Sequence, residues 1–192
     1  MRPPATALYR QPWPGGEYRL FQLGFLVDDV LSAAERWSTV FGVGPFHVLP
    51  PIEGACTYRG TEAALTVQVA IAQAGPVQIE LIQQHCDRPS IYREMHERSG
   101  PGFHQICTVT DDYDGARTHL VESGYPPASE LVTPGGQRVG YFDTVADFGF
   151  FTEVAEAVPG FLEQLAAISA TCETWDGTDP VRLLTRSGYR TP

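Results

Sequence analysis

An eight-residue pattern that recurs 83 positions further on constrains this chain more than any other feature. Gln22 to Asp29 (QLGFLVDD) lies over Gln105 to Asp112 (QICTVTDD) without a gap. Each copy runs as an apolar strand into an Asp-Asp pair placed to cap a helix. An amphipathic stretch follows in each, VLSAAERWSTVF before Gly42 and YDGARTHLVES before Gly124, with glycine as the stop. Further along, Val77 to Leu81 (VQIEL) lies over Phe150 to Val154 (FFTEV), each an apolar strand with one acid inside it. Repetition of this kind marks a duplication. One such module leaves a sheet face bare, so two must pair to bury it or to enclose a cavity.

The remaining patterns fill in the modules. Short strands are expected at FHVLP, ACTYRG, LTVQVAIAQ and VQIELIQ, and in the second half at SELVTP, RVGYFDT and GFFTEVAE, with turn signals between them. The expected fold class is α+β, with two tandem βαβββ modules forming a cup-shaped mixed sheet and a C-terminal helical extension. Residues 1–17, with four prolines and two glycines, read as an extended arm. The first module spans 18–84, a linker helix 85–100 and the second module 101–157. Residues 158–192 form a C-terminal helix (GFLEQLAAISATCETW) and a turn-like tail.

Composition narrows the function classes. A net charge of −10 disfavours a nucleic-acid partner, which needs a basic face. All 13 basic residues are arginine, so a lysine Schiff base or lysine general base is excluded. Cys56, Cys86, Cys107 and Cys172 are scattered without a zinc or disulfide spacing, and they read as reduced packing thiols. No signal-peptide core and no apolar run of membrane-spanning length is present, so cytoplasm is the expected location.

Four positions carry the chemistry: Gln22 and Gln105 in the first strand of each half, Glu80 and Glu153 in the last. A lone buried glutamate is costly to ionise, and two at matching places invite a shared cation. Two carboxylates and two amides suit a hard or borderline divalent ion. The alternative is that the same groups hydrogen-bond to one another in a polar cavity without metal. His47, in the strand after the first helix, is a candidate for lining the cup, or else a structural histidine. Tyr141 and Phe151 are candidates for contacting substrate.

The stretches FQLGFLVDDVLSAAERWSTVFGVGPF, VQIELIQ, GPGFHQICTVTDD and RVGYFDTVADFGFFTEV resemble the vicinal oxygen chelate superfamily, most of all methylmalonyl-CoA epimerases and lactoylglutathione lyases. The resemblance covers residues 19 to 157. It implies a cup of two modules holding one divalent metal ion (Zn, Ni, Co, Mn, Fe or Mg), with Gln22, Glu80, Gln105 and Glu153 on the ligand positions. The family usually places histidine third, where this chain has Gln105 directly after His104. In regular register His104 points away from the cup; a bulge that shifts the strand by one makes His104 the ligand instead.

The resemblance also implies an isomerase or epimerase that removes a proton beside a carbonyl, with Glu153 and Glu80 as candidate bases, acting on a small-molecule substrate. A homodimer is compatible with it. A metal-free binding cup and a pathway-specific lyase or cyclase are the alternatives. An extradiol dioxygenase is a weaker one, because that chemistry needs two histidines and a carboxylate on iron.

Overall fold

The structure is a computed structural model that describes residues 10–13, 16–185 and 188–192, with side chains described from residue 20 onward. A short strand β1 (Arg10–Trp13) precedes the first repeat, which comprises β2 (Gly16–Leu26), α1 (Val30–Phe41), β3 (Phe46–Val48), β4 (Ile52–Tyr58), β5 (Thr61–Ala74) and β6 (Val77–Gln84). Helix α2 (Ile91–Ser99) links it to β7 (Gly102–Thr110), α3 (Tyr113–Glu122), β8 (Pro127–Val132), β9 (Arg138–Phe142), the single turn α4 (Val145–Phe148) and β10 (Phe151–Glu156). Helix α5 (Pro159–Glu173), β11 (Val181–Thr185) and β12 (Gly188–Arg190) complete the chain.

The repeated Asp-Asp pair does the same job twice. Asp29 accepts a hydrogen bond from the Ser32 backbone N–H at 2.7 Å, and Asp112 accepts one from Gly115 at 2.9 Å. Each satisfies a donor that the first helical turn leaves without a partner. Gly42 closes α1 in the left-handed conformation, at φ 64°, which a side chain would resist.

The two repeats meet through antiparallel pairing of β2 with β7. Parallel pairs β2–β6 and β7–β10 flank that seam, and the order continues through β5 and β4 on one side and β9 and β8 on the other. Two residue pairs between β4 and β8, Thr57 with Glu130 and Tyr58 with Ser129, join the free edges. Eight strands therefore form a closed ring, a size whose interior holds packed side chains or one small ligand.

Helices cover both faces and both ends. Outside, α1 lays Val30 and Ala34 on Phe46, Ala70 and Leu81, while α3 lays Ala116 and Leu120 on Phe142 and Val154. Inside, α2 contributes Ile91, Tyr92 and Met95 to the same cluster as Phe21, Phe151 and Tyr141. Helix α2 leads into β7, and α5 follows β10, which runs parallel to β7; the two helices therefore sit at opposite ends of the ring.

Both termini differ from expectation. Within the stretch read as an arm, Arg10 to Trp13 pair antiparallel with Arg19 to Gly16; residues 1–9, 14 and 15 lie outside the described residues. In the tail read as turn-like, β11 pairs parallel with β3 and carries β12 as a hairpin. The reason is an edge: β3 pairs β5 over only two residues, and Val181, 2% exposed, fills the apolar space beside Phe46. All four cysteines are free thiols, and among the described residues no helix is long and apolar enough to cross a membrane.

Removal of either cap tests the repeated motif. Asp29→Ala and Asp112→Ala should each lower the unfolding free energy by about 1 kcal/mol, and the double variant by their sum, as read by urea denaturation.

Candidate functional site

A cavity of ≈ 310 Å³ occupies the interior of the ring. Its polar floor carries Gln22, Gln78, Glu80, Tyr92, Tyr141 and Glu153, and its walls are aliphatic side chains such as Val67, Val69, Ile82 and Val139. Helix α5 supplies Phe161, Leu165 and Ile168 at the end opposite α2.

The floor is organised by one amide. Gln105 Nε2 donates to Glu153 Oε2 at 2.7 Å and to Glu80 Oε2 at 3.2 Å, so that a single side chain joins acids from the two repeats. Gln22, at the matching place in the first repeat, instead donates from Nε2 to Gln78 Oε1 at 3.0 Å. The difference follows from the neighbouring strands. Gln22 pairs across β6 with Gln78, a polar partner, whereas Gln105 pairs across β10 with Phe151, which offers none. A fully buried amide must find partners elsewhere, and Gln105 turns to the acids.

Two backbone features let it reach them. The β2–β7 register runs from Gly24↔Gln105 to Phe25↔Phe103, leaving His104 as the extra residue of a β-bulge. Gly24 then lies under the Gln105 side chain: a Cβ built there would stand 2.8 Å from Gln105 Cγ and Cδ. Only glycine leaves that crossing open.

The bulge expected as one alternative is thus present, yet Gln105, not His104, reaches the acids. His104 is fully buried behind it, its ring between Tyr92 and Phe151 at centroid distances of 5.0 and 5.1 Å. Its Nδ1 meets Gln105 Oε1, and its Nε2 faces the Ile91 carbonyl at 3.4 Å. Burial pushes the imidazole down to about 4, against its hydrogen bond to the Gln105 amide oxygen, so it is neutral at physiological pH.

Burial also dominates the acids, in the opposite sense. It pushes Glu153 up to about 7, although hydrogen bonds from Cys107, Gln105 and Tyr141 act to lower it. Glu80 is held well above the usual carboxylate range by burial and by the charge of Glu153. Two acids this close cannot both ionise cheaply without a counter-charge. Tyr92 donates to the Tyr141 hydroxyl at 3.0 Å, extending the network from α2 through Tyr141 to Glu153.

The donor set fits a divalent cation of oxygen preference. Glu80 and Glu153 would supply the charge, and burial holds both above the ordinary carboxylate range where no cation offsets it. Gln22, with its nitrogen committed to Gln78, has its oxygen left to offer. Gln105 fits after a half-turn of its amide, which brings Oε1 to the acids and Nε2 to a His104 Nδ1 that a neutral imidazole can present as acceptor. Among the described residues no group of three or more His, Cys, Asp or Glu side chains is placed to hold a metal ion. A set of two carboxylates and two amides offers only oxygen ligands, which favour hard ions.

The other candidates separate. Tyr141 lines the cavity. Phe151 does not: it lies 1% exposed beneath the floor against His104. His47 is also away from the cavity, because β3 lies outside the closed ring; its ring packs edge-on against Tyr189 at 4.8 Å. Burial and Arg182 push it down to about 4. Three site residues escaped the sequence reading, namely Gln78, Tyr92 and Cys107. Gln78 and Cys107 stand on the strands that carry the chosen residues, two positions before Glu80 and two after Gln105, and period-two alternation puts them on the same face.

Comparison with known proteins matches this chain over residues 21–141 to the family model of the Glyoxalase/Bleomycin resistance protein/Dioxygenase superfamily. No curated protein matches. Similar solved structures include a hypothetical protein from Bacillus halodurans C-125, with 16% identity, a TM-score of 0.53, and coverage of 73% of this chain and 95% of that one. Methylmalonyl-CoA epimerase from Mycobacterium tuberculosis is similar at 18% identity and a TM-score of 0.52, covering 75% and 91%. A variant of the Streptomyces coelicolor epimerase, in complex with 2-nitronate-propionyl-CoA, has 16% identity and a TM-score of 0.51, covering 73% and 95%.

Two substitutions probe the shared amide. Gly24→Ala should destabilise the chain by roughly 1–3 kcal/mol in chemical denaturation, because the new methyl must displace Gln105. The second concerns pH. An acid whose folded pKa lies above its unfolded value stabilises the fold below about 4.5, and that contribution is lost as the pH rises through about 7. His47 and His104, shifted down, act in the opposite direction, so the measurement is a difference. In chelator-treated protein, the stability of Glu153→Gln relative to the parent should rise between these two pH values.

Proposed function

We propose that this chain, which belongs to the Glyoxalase/Bleomycin resistance protein/Dioxygenase superfamily, is a proton-transfer enzyme of isomerase or epimerase type, acting on the carbon beside a carbonyl. The observation that carries the reading is the meeting of Glu80 and Glu153 on the Gln105 amide at the floor of an otherwise apolar cavity.

A base works best with a pKa near the operating pH, and burial brings Glu153 to about 7. Its carboxylate form is held by Gln105 and Tyr141, which orient it for a proton on a molecule above the floor. Glu80, raised in the same way, faces the same space from the other repeat and suits delivery of a proton to the opposite side. The surrounding aliphatic walls keep water from competing for either. Gln22, Glu80, Gln105 and Glu153 are the residues that would hold one divalent cation, whose charge would stabilise an enolate oxygen.

A second reading, a metal-free binding cup, is favoured by one observation: Gln105 already bridges both acids through its own nitrogen. Ring cleavage on iron finds less support, because His104 stands behind Gln105 and His47 lies outside the ring.

The test is exchange of α protons for deuterium, followed by NMR in D₂O over a panel of cyclic ketones, acyl thioesters and α-hydroxyketones. At least one compound should exchange, and Glu153→Gln should slow it by about a hundredfold or more, the scale of general acid–base catalysis. Saturable binding without exchange across the panel would support the binding cup instead. Elemental analysis of protein purified without chelator or metal-affinity tag should find about one divalent ion per chain, lost in Glu80→Ala. No metal even after reconstitution would leave the residues acting alone.

A further inference from the structure

We infer that the molecule taken by this cavity is a neutral, largely apolar carbonyl compound, and not the acyl end of a phosphate-bearing thioester; the inference rests on the proton-transfer reading and names its substrate class.

Charge argues first. Among the described residues the cavity lining contains no Arg, Lys or His, while its floor holds two carboxyls. Recognition of phosphate draws on arginine forks, lysine ammonium groups or backbone N–H clusters. Lysine is absent from the chain. Arg59, Arg88, Arg93, Arg117 and Arg138 are engaged in ion pairs with the chain's own acids, Arg59 with both Glu94 and Asp143. A net charge of −10 repels a polyanion before it arrives.

Shape argues the same way. Helix α5 lies beyond residues 21–141, the stretch matched by the family model, and it turns Phe161, Leu165 and Ile168 toward the cavity. With the aliphatic walls they leave ≈ 310 Å³, at the low end of the roughly 300–1,000 Å³ of small-molecule sites. Both carboxyls stand at the floor, and the other polar side chains of the lining, Thr133, Gln137 and Gln164, are uncharged, so the ligand that matches is neutral and apolar over most of its surface, with its carbonyl facing the acids.

Three probes test this in calorimetric titrations: β-tetralone, propionyl-N-acetylcysteamine and propionyl-CoA. The two thioesters share one acyl head and differ in the phosphate-bearing tail. The neutral compounds should bind at least about tenfold more tightly than propionyl-CoA, and Leu165→Trp, with unchanged circular dichroism, should weaken them by about tenfold or more. Equal or tighter binding of propionyl-CoA overturns the inference, as does absence of saturable binding by both neutral compounds, or unchanged binding in a folded Leu165→Trp. If that variant does not fold, the thioester pair decides. Deuterium exchange in the same samples separates the two claims. Binding of the neutral probes without exchange refutes proton transfer on them and leaves the ligand class standing, whereas tight binding and exchange of propionyl-CoA do the reverse.

Discussion

The amide nitrogen of Gln105, donating to a carboxyl from each repeat, is the contact on which the interior of this protein depends. Without it Glu80 and Glu153 would face the same apolar space with no donor in common. Burial disfavours their ionisation, and the shift of Glu153 to about 7 follows from that cost. The surrounding backbone serves the same contact. The His104 bulge sets the direction of Gln105, Gly24 clears its path, and the neutral His104 ring supports the far end of the amide.

Duplication built this site by making the repeats unequal at one position. Gln22 and Gln105 occupy matching places, but one faces Gln78 and the other Phe151. A polar partner satisfies the first within its own repeat; an aromatic one sends the second across the seam. The acids remain symmetric while the amides do not, which gives a floor with one bridging donor and one oxygen turned to the cavity. The additions outside the duplicated unit then set what the floor can meet: α2 brings Tyr92 to the tyrosine relay, and α5 brings an apolar cover.

Much of this was legible in the sequence, and the rest was hidden for physical reasons. The Asp-Asp caps, the strand-helix order and the two acids follow from local rules of capping, periodicity and the cost of burying charge, and they repeat. The closure of β4 on β8 rests on two residue pairs with no local signature. Whether His104 or Gln105 faces the acids depends on a bulge, and a one-residue offset leaves no trace in composition. Whether His47 lines the cup or serves as a structural histidine is decided by a pairing with no local signal, because its short strand joins the C-terminal hairpin outside the ring. Phe151 lies on the inward face as alternation predicts, yet the ring is filled below the floor, so facing inward did not mean facing the cavity.

The chemistry of the floor rests on Glu80 and Glu153 titrating together, each above the ordinary carboxylate range. Carbon-13 NMR of glutamate-labelled, metal-free protein measures this directly, with Glu80→Gln and Glu153→Gln assigning the two side-chain carboxyl signals. The Glu153 signal should move near pH 7, Glu80 should also titrate well above ordinary carboxylates, and each substitution should alter the curve of the remaining acid. Two independent titrations at the ordinary value near 4.5 would contradict it.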